Sequence, residues 1–194
     1  TTISSEMEAL GNRTLFISKM PQIQMGHGAW RKYRKRKDIT YRQYKQFSQE
    51  VELSDKVSAY AYSGGMTIKC GDKETDPDVS LAGVDENYFI LDNKNTSLGR
   101  PISTSDVMLN RDVVVIGNDV VTKVFPNTNP VGQTVKIKNK NFTVIGVLEA
   151  KGAMMGQSQD NIAYIPLKKF LTYYSSEWSQ SLTLMVRAIS KDKI

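Results

Sequence analysis

The chain is poor in the residue types from which most enzymes build their chemistry. Its 194 residues contain one cysteine, Cys70, and one histidine, His27. A single cysteine excludes an internal disulfide and any cysteine-based zinc site, and leaves the redox compartment open. A single histidine cannot assemble a His-rich metal centre or support a conventional hydrolase triad, and between Gly26 and Gly28 it reads as an exposed loop residue. Phosphate-loop, dinucleotide-binding, HExxH and GxSxG motifs are all missing. No catalytic residue, metal ligand or cofactor is therefore expected. Nor is there an apolar run of the roughly 18 residues that a membrane-spanning helix needs. The start, Thr1-Thr2-Ile3-Ser4-Ser5, lacks the basic and apolar regions of a signal peptide.

Charge is unevenly distributed. The net charge is +6, and Arg31, Lys32, Arg34, Lys35, Arg36 and Lys37 account for all of it, since the remaining chain carries 20 basic and 20 acidic residues. The pI near 9.3 thus describes one loop and argues against a broad nucleic-acid surface. With Trp30 and Tyr33 interleaved, the run is a candidate contact for an anionic surface; the bland alternative is a solvated charged loop.

What is present is a chain with 40% hydrophobic content, enough to bury a core. Its organising stretch runs over residues 112–167. Val113 to Ile116 is an unbroken β-branched strand; Gly117 ends it, and Asn118 is placed to cap a helix over residues 119–125, which Pro126 and Pro130 stop. Residues 134–138 then alternate, Val135 and Ile137 against Lys136 and Lys138. A turn at Asn139, Lys140 and Asn141 leads into residues 142–148. A loop over 151–160 joins this hairpin to a strand at 162–165. Met154 and Met155 lie in that loop between Gly152 and Gly156, a candidate adaptable apolar contact for a protein partner, unless they tuck under a strand.

The flanks are mixed in the same way. Ile3, Met7 and Leu10 have helical spacing; residues 14–20 read as a strand and 21–38 as a long exposed loop. Thr40 followed by Gln43 has capping-box spacing, and Tyr44, Phe47 and Val51 continue it as a helix over 41–51. Residues 56–63 alternate, and Gly64-Gly65 is expected to turn that strand back onto 66–70 as a pair. Residues 79–84 form another strand, followed by a helical turn at 85–89, and 168–174 and 181–188 supply the last helix and strand. The class is α+β.

Over about a third of the chain the residues carry a family resemblance. The run Val114-Val115-Ile116-Gly117-Asn118, then Val124-Phe125-Pro126-Asn127, Asn129-Pro130-Val131-Gly132-Gln133, Val144-Ile145-Gly146-Val147-Leu148, Lys151-Gly152, Gln159-Asp160-Asn161 and Ile165-Pro166-Leu167 resembles the periplasmic core domain of MacB-type ABC transporter permeases, a group with FtsX-like and LolC-like members. Leu98-Gly99-Arg100-Pro101 and Asp106 continue the likeness. The resemblance implies two subdomains, a porter-like one from residues 1–98 and 166–194 and a Sabre-like one from 99–165. It implies residence on the periplasmic or extracellular side of the cytoplasmic membrane, with residues 1–10 as the top of a membrane stalk. It also implies partners: the permease's own transmembrane helices, an ABC ATPase domain or subunit, a second permease as homodimer or heterodimer, and a periplasmic adaptor or carrier. The implied function is to couple cytoplasmic ATP hydrolysis to movement outside the membrane, with export or release of substrate. Two other readings stay open: an interaction module of an FtsX-like permease that regulates a cell-wall hydrolase or sensor, and an anion or nucleic-acid binder acting through the basic loop.

Overall fold

A computed structural model describes residues 14–19, 35–52, 54–154, 156–174 and 181–188, leaving aside the Met154 side chain. The expected helix over residues 1–10, His27, Trp30 and Tyr33 lie outside these. The organising element is a single mixed sheet. In chain order its parts and neighbours are β1 (Thr14–Ile17), α1 (Tyr41–Glu50), β2 (Ser54–Met66), β3 (Ile68–Cys70), β4 (Lys73–Glu74), β5 (Val79–Val84), α2 (Tyr88–Leu91), β6 (Thr96–Gly99) and α3 (Thr104–Met108). Then come β7 (Val113–Ile116), α4 (Asn118–Val124), β8 (Thr134–Ile137), β9 (Lys140–Leu148), β10 (Ala153–Met154), β11 (Gln157–Ser158), β12 (Ile162–Pro166), α5 (Leu167–Tyr173) and β13 (Thr183–Ala188). Strands follow the order β1-β13-β2-β5-β12-β7-β9-β8-β3-β4, with β6 added alongside β9, while β10 and β11 form a separate hairpin.

Burial explains the patterns. Val114 and Ile116 join one core together with Tyr44, Val57, Leu81, Phe142, Ile165 and Phe170, whereas Val115 joins a second with Tyr88, Phe89, Val107, Tyr164 and Met185. Both faces of β7 are covered, so an unbroken apolar run is required there. On β8 only Val135 and Ile137 are buried, and Lys136 faces water, giving the alternation. Helices α1, α4 and α5 pack on the first face; α2 and α3 cap the second.

Four local expectations are corrected. The Gly64-Gly65 pair does not make a hairpin: β2 runs straight through it with a bulge between Ser63 and Met66, and β3 pairs with β8 and β4. Gly65 absorbs the bulge at φ +73°, which a glycine adopts without cost. Asn118 is not the N-cap of α4; Gly117 is. A side chain at 117 would collide with the Asp160 carbonyl, 2.1 Å from an added Cβ, so the strand-to-helix joint is closed by backbone alone. The β8–β9 turn is Lys138 and Asn139, with Lys138 at φ +50°, and Lys140 already pairs with Ile137. Finally, α5 starts at Leu167 because Pro166 completes β12 and pairs with Val84. The α1 prediction holds in detail: the Thr40 side chain accepts from the Gln43 N–H, and the Gln43 side chain accepts from the Thr40 N–H at 2.9 Å.

Strand pairing crosses the expected boundaries. β3, from the first half, pairs with β8 through Ile68 and Ile137, and β12 pairs in parallel with β5.

Candidate functional site

The chain enters the sheet at β1 and leaves it at β13, antiparallel neighbours in which Thr14 faces Arg187. Following the pairings, β9 runs in the same direction as β1. The segment after Leu148 therefore emerges at the opposite end of the strands, and it carries the β10–β11 hairpin. Ala153 pairs with Ser158 and Met154 with Gln157, and Gly156 turns the tip at φ +78°. Met154 is thus the last residue of a short strand in this hairpin; Met155 lies outside the described residues.

One buried carboxylate forms the neck of this hairpin. Asp160 accepts from the Lys151 N–H at 2.9 Å and the Gly152 N–H at 2.8 Å, while its own N–H donates to Ser158 Oγ at 3.0 Å. Gln159 N–H closes the ring onto the Gly152 carbonyl. A cavity of about 70 Å³ lies beside the neck, lined by Asn93, Lys94, Asn95, Glu149 and Asp160 among others. Lys94 connects it to an aromatic cluster: its ammonium is 3.3 Å from Asp92 and 5.9 Å from the Tyr164 ring centroid. There the rings of Tyr60, Tyr88, Phe89 and Tyr164 meet at 5.3–5.9 Å, and the Tyr62 and Tyr88 hydroxyls are 2.6 Å apart. The Tyr164 hydroxyl is buried and, among the described residues, has no hydrogen-bond partner of good geometry. Burial, more than any charge, raises the phenol pKa values of Tyr88 and Tyr164, which keeps both protonated.

Two further buried carboxylates hold the frame. Asp85 accepts from the Tyr44 and Ser58 hydroxyls and from the Ala59 and Asn87 N–H groups. Asp106 accepts two bonds from Arg100, at 2.6 and 3.2 Å, and two from Ser103, with Arg111 at 3.6 Å. The Leu98-Gly99-Arg100-Pro101 segment and the acid that follows it are therefore a structural clamp between β6 and α3.

Of the basic run, Lys35, Arg36 and Lys37 are exposed; Arg31, Lys32 and Arg34 lie outside the described residues. Lys37 and Arg42 line an open groove along the start of α1. Sequence reasoning missed the Asp160 neck and the tyrosine cluster. Asp160 carried a signal, an acid immediately after a glycine-bounded loop, whereas the tyrosines converge from β2, α2 and β12 and have none. Among the described residues no group of three His, Cys, Asp or Glu side chains could hold a metal ion, and no helix is long and apolar enough to cross a membrane.

The mixed sheet, with its entry and exit strands side by side, shares its fold with solved structures of other proteins. The periplasmic region of MacB from Actinobacillus actinomycetemcomitans superposes with a TM-score of 0.74 at 24% identity, covering 99% of this chain and 81% of that one. The extracellular domain of the noncanonic ABC-type transporter YknZ from Gram-positive bacteria gives 0.66 at 24% identity, covering 81% and 76%. The chain belongs to the family described as MacB-like periplasmic core domain, which matches residues 1–194. It therefore lies on the extracytoplasmic side of the membrane. Among curated relatives, the macrolide export ATP-binding/permease protein MacB of Chlorobium luteolum is 28% identical over 170 residues, 86% of this chain. That of Chlorobium phaeobacteroides is 33% identical over 88 residues, 45% of the chain. The chain spans about a quarter or less of these relatives, 24% and 13% of their lengths.

Proposed function

We propose that this domain carries movement, driven by ATP hydrolysis on the cytoplasmic side, to a substrate or partner outside the membrane. The observation that supports this is the polarity of the sheet, with β1 and β13 together at one end and the β10–β11 hairpin at the other. Motion received where the chain enters and leaves reaches the tip through one continuous sheet and two buried cores. The ATPase and membrane helices belong to a larger protein or to separate subunits, and the domain works beside a second permease copy. Met154, on β10, and Met155, which follows it in sequence, are the proposed contact for a periplasmic adaptor or carrier. The porter-like and Sabre-like halves, divided near residues 98 and 165, move as one unit because strand pairing crosses both boundaries.

The test uses the intact transporter. Probes on residues 118 and 140 should keep their mutual distance through the ATPase cycle while the distance between the domains of two protomers changes. A large change within one domain defeats the proposal.

A further inference from the structure

We propose that a row of lysine and tyrosine side chains across α1, α5 and the β8–β9 turn is a docking surface for anionic phospholipid headgroups. The row consists of two tyrosine rings, each flanked by two ammonium groups. Lys45 Nζ is 5.8 Å from the Tyr41 centroid and Lys168 Nζ is 5.6 Å from the same ring. Lys140 Nζ lies 4.5 Å and Lys169 Nζ 5.3 Å from the Tyr173 centroid. Tyr173 and Tyr174 meet edge to face at 6.2 Å, and Lys138 Nζ is 5.9 Å from Tyr174. The contacts form two groups, one around Tyr41 and one around Tyr173 and Tyr174, which α5 joins through its consecutive residues Lys168 and Lys169.

The lysines are not equivalent. Lys169 is buried and bonded to Asp112 at 2.8 Å, so it fixes the row rather than presenting charge. Lys138, Lys140 and Lys168 are exposed and Lys45 is half-buried; among the described residues none of the four is paired with a carboxylate. The acids that act on the row's aromatic side are Asp112, bonded to Lys169, and Asp85 and Glu86, which lie just before α2, with Asp85 held by the Tyr44 hydroxyl. Outside the basic loop the chain has equal numbers of positive and negative residues, yet here the cations are segregated.

Composition selects the occupant. The centres of protein–protein interfaces are depleted in lysine, whereas compact, strongly hydrated ammonium groups suit a diffuse phosphate layer, and half-exposed tyrosines suit the boundary between water and acyl chains. The domain's extracytoplasmic placement supplies such a layer. β9 runs in the same direction as β1, so the Lys138–Asn139 turn lies at the entry end of its strand, as Thr14 does of its own. The inference does not depend on ATP coupling, since the chain alone would bind.

The experiment is co-sedimentation of the 194-residue chain with vesicles of phosphatidylcholine containing phosphatidylglycerol, and with pure phosphatidylcholine. Expected is binding to the anionic vesicles only, weakening with salt. Replacing Lys45, Lys138, Lys140 and Lys168 by Gln should lower affinity at least about tenfold, since each cation near such a surface contributes appreciably. Their replacement by Arg should preserve it, and Lys35→Ser with Lys37→Ser should lower it less than the Gln set does. If the Gln set impairs folding, Lys140→Glu at the exposed start of β9 gives the same reading. Undiminished binding by the Gln or Glu variant, equal binding to pure phosphatidylcholine, or tighter capture by immobilised polyglutamate than by vesicles at equal salt each overturns the proposal, the last in favour of an acidic protein.

Discussion

The Tyr44 hydroxyl donates to the Asp85 carboxylate at 2.5 Å, joining the middle of α1 to the end of β5. It is one of four donors to a side chain that is 1% exposed. Tyr44→Phe removes one donor and should cost about 1–2 kcal/mol in a denaturant melt. Asp85→Ala strands all four and should cost more. Burial is the largest influence on Asp85 and raises its carboxyl pKa, against the pull of Ser58, Tyr44 and Ala59. A carboxyl raised on folding stabilises fully below its unfolded value, and that contribution is lost as pH rises through the folded value. The stability gap between the parent and Asp85→Asn should therefore narrow as pH rises above about 4. A widening gap would contradict this.

Asp106 has the opposite sign. Burial works to raise its pKa, but the Arg100 and Ser103 hydrogen bonds outweigh it, and the carboxyl is lowered to about 2. Its contribution is present above the ordinary carboxylate value and is lost as pH falls toward 2. Asp106→Asn should flatten that acid limb in pH-dependent melts. Arg100→Lys, which cannot make the paired bonds, should recover only part of the loss, on the order of 3 kcal/mol, caused by Arg100→Ala.

Gly99 and Gly146 face each other across β6 and β9. A Cβ on Gly146 would lie 2.4 Å from the Arg100 carbonyl oxygen, and one on Gly99, at φ +69°, 2.2 Å from that of Ile145. Both obstacles are backbone and cannot swing away. Alanine at either position should destabilise by more than about 3 kcal/mol, and Gly132→Ala, with open space around it, should cost less. Similar melting curves for all three would refute this account.

The hairpin neck can be tested without touching its tip. Asp160→Ala removes the acceptor of the Lys151 and Gly152 amides. Those two amides should exchange with deuterium at least about tenfold faster, while those of β7 and β12 stay protected. Uniform acceleration would mean that Asp160 holds the whole sheet instead.

Where a segment's partners are near in sequence, or its pattern reports one buried face, the sequence was readable. Thr40 and Gln43 announce α1, and Val135 and Ile137 against Lys136 announce β8. The Gly64-Gly65 misreading has a physical cause: two glycines permit a turn, but whether β2 turns or continues depends on β5, whose Val79 pairs with Met66. Similarly, Asn118 has the chemistry of a cap, yet the Asp160 carbonyl, 43 residues away in numbering from Gly117, decides the geometry there. The Lys–Tyr row was invisible because charge counting registers totals, and its lysines are balanced by acids located elsewhere. The family resemblance was legible in short motifs, and Asp160 and Arg100 now have structural reasons within them.

The side-by-side placement of β1 and β13 also sets which loads the domain can bear. Ladder bonds in an antiparallel pair lie perpendicular to the strands. A force pulling Thr14 away from Arg187 would act on one bonded pair at a time and unzip the edge of the sheet, whereas a push or tilt delivered to both strands together loads all four paired positions at once. Under the proposed function, this pair would resist a displacement shared by both strands and yield to one that prises them apart.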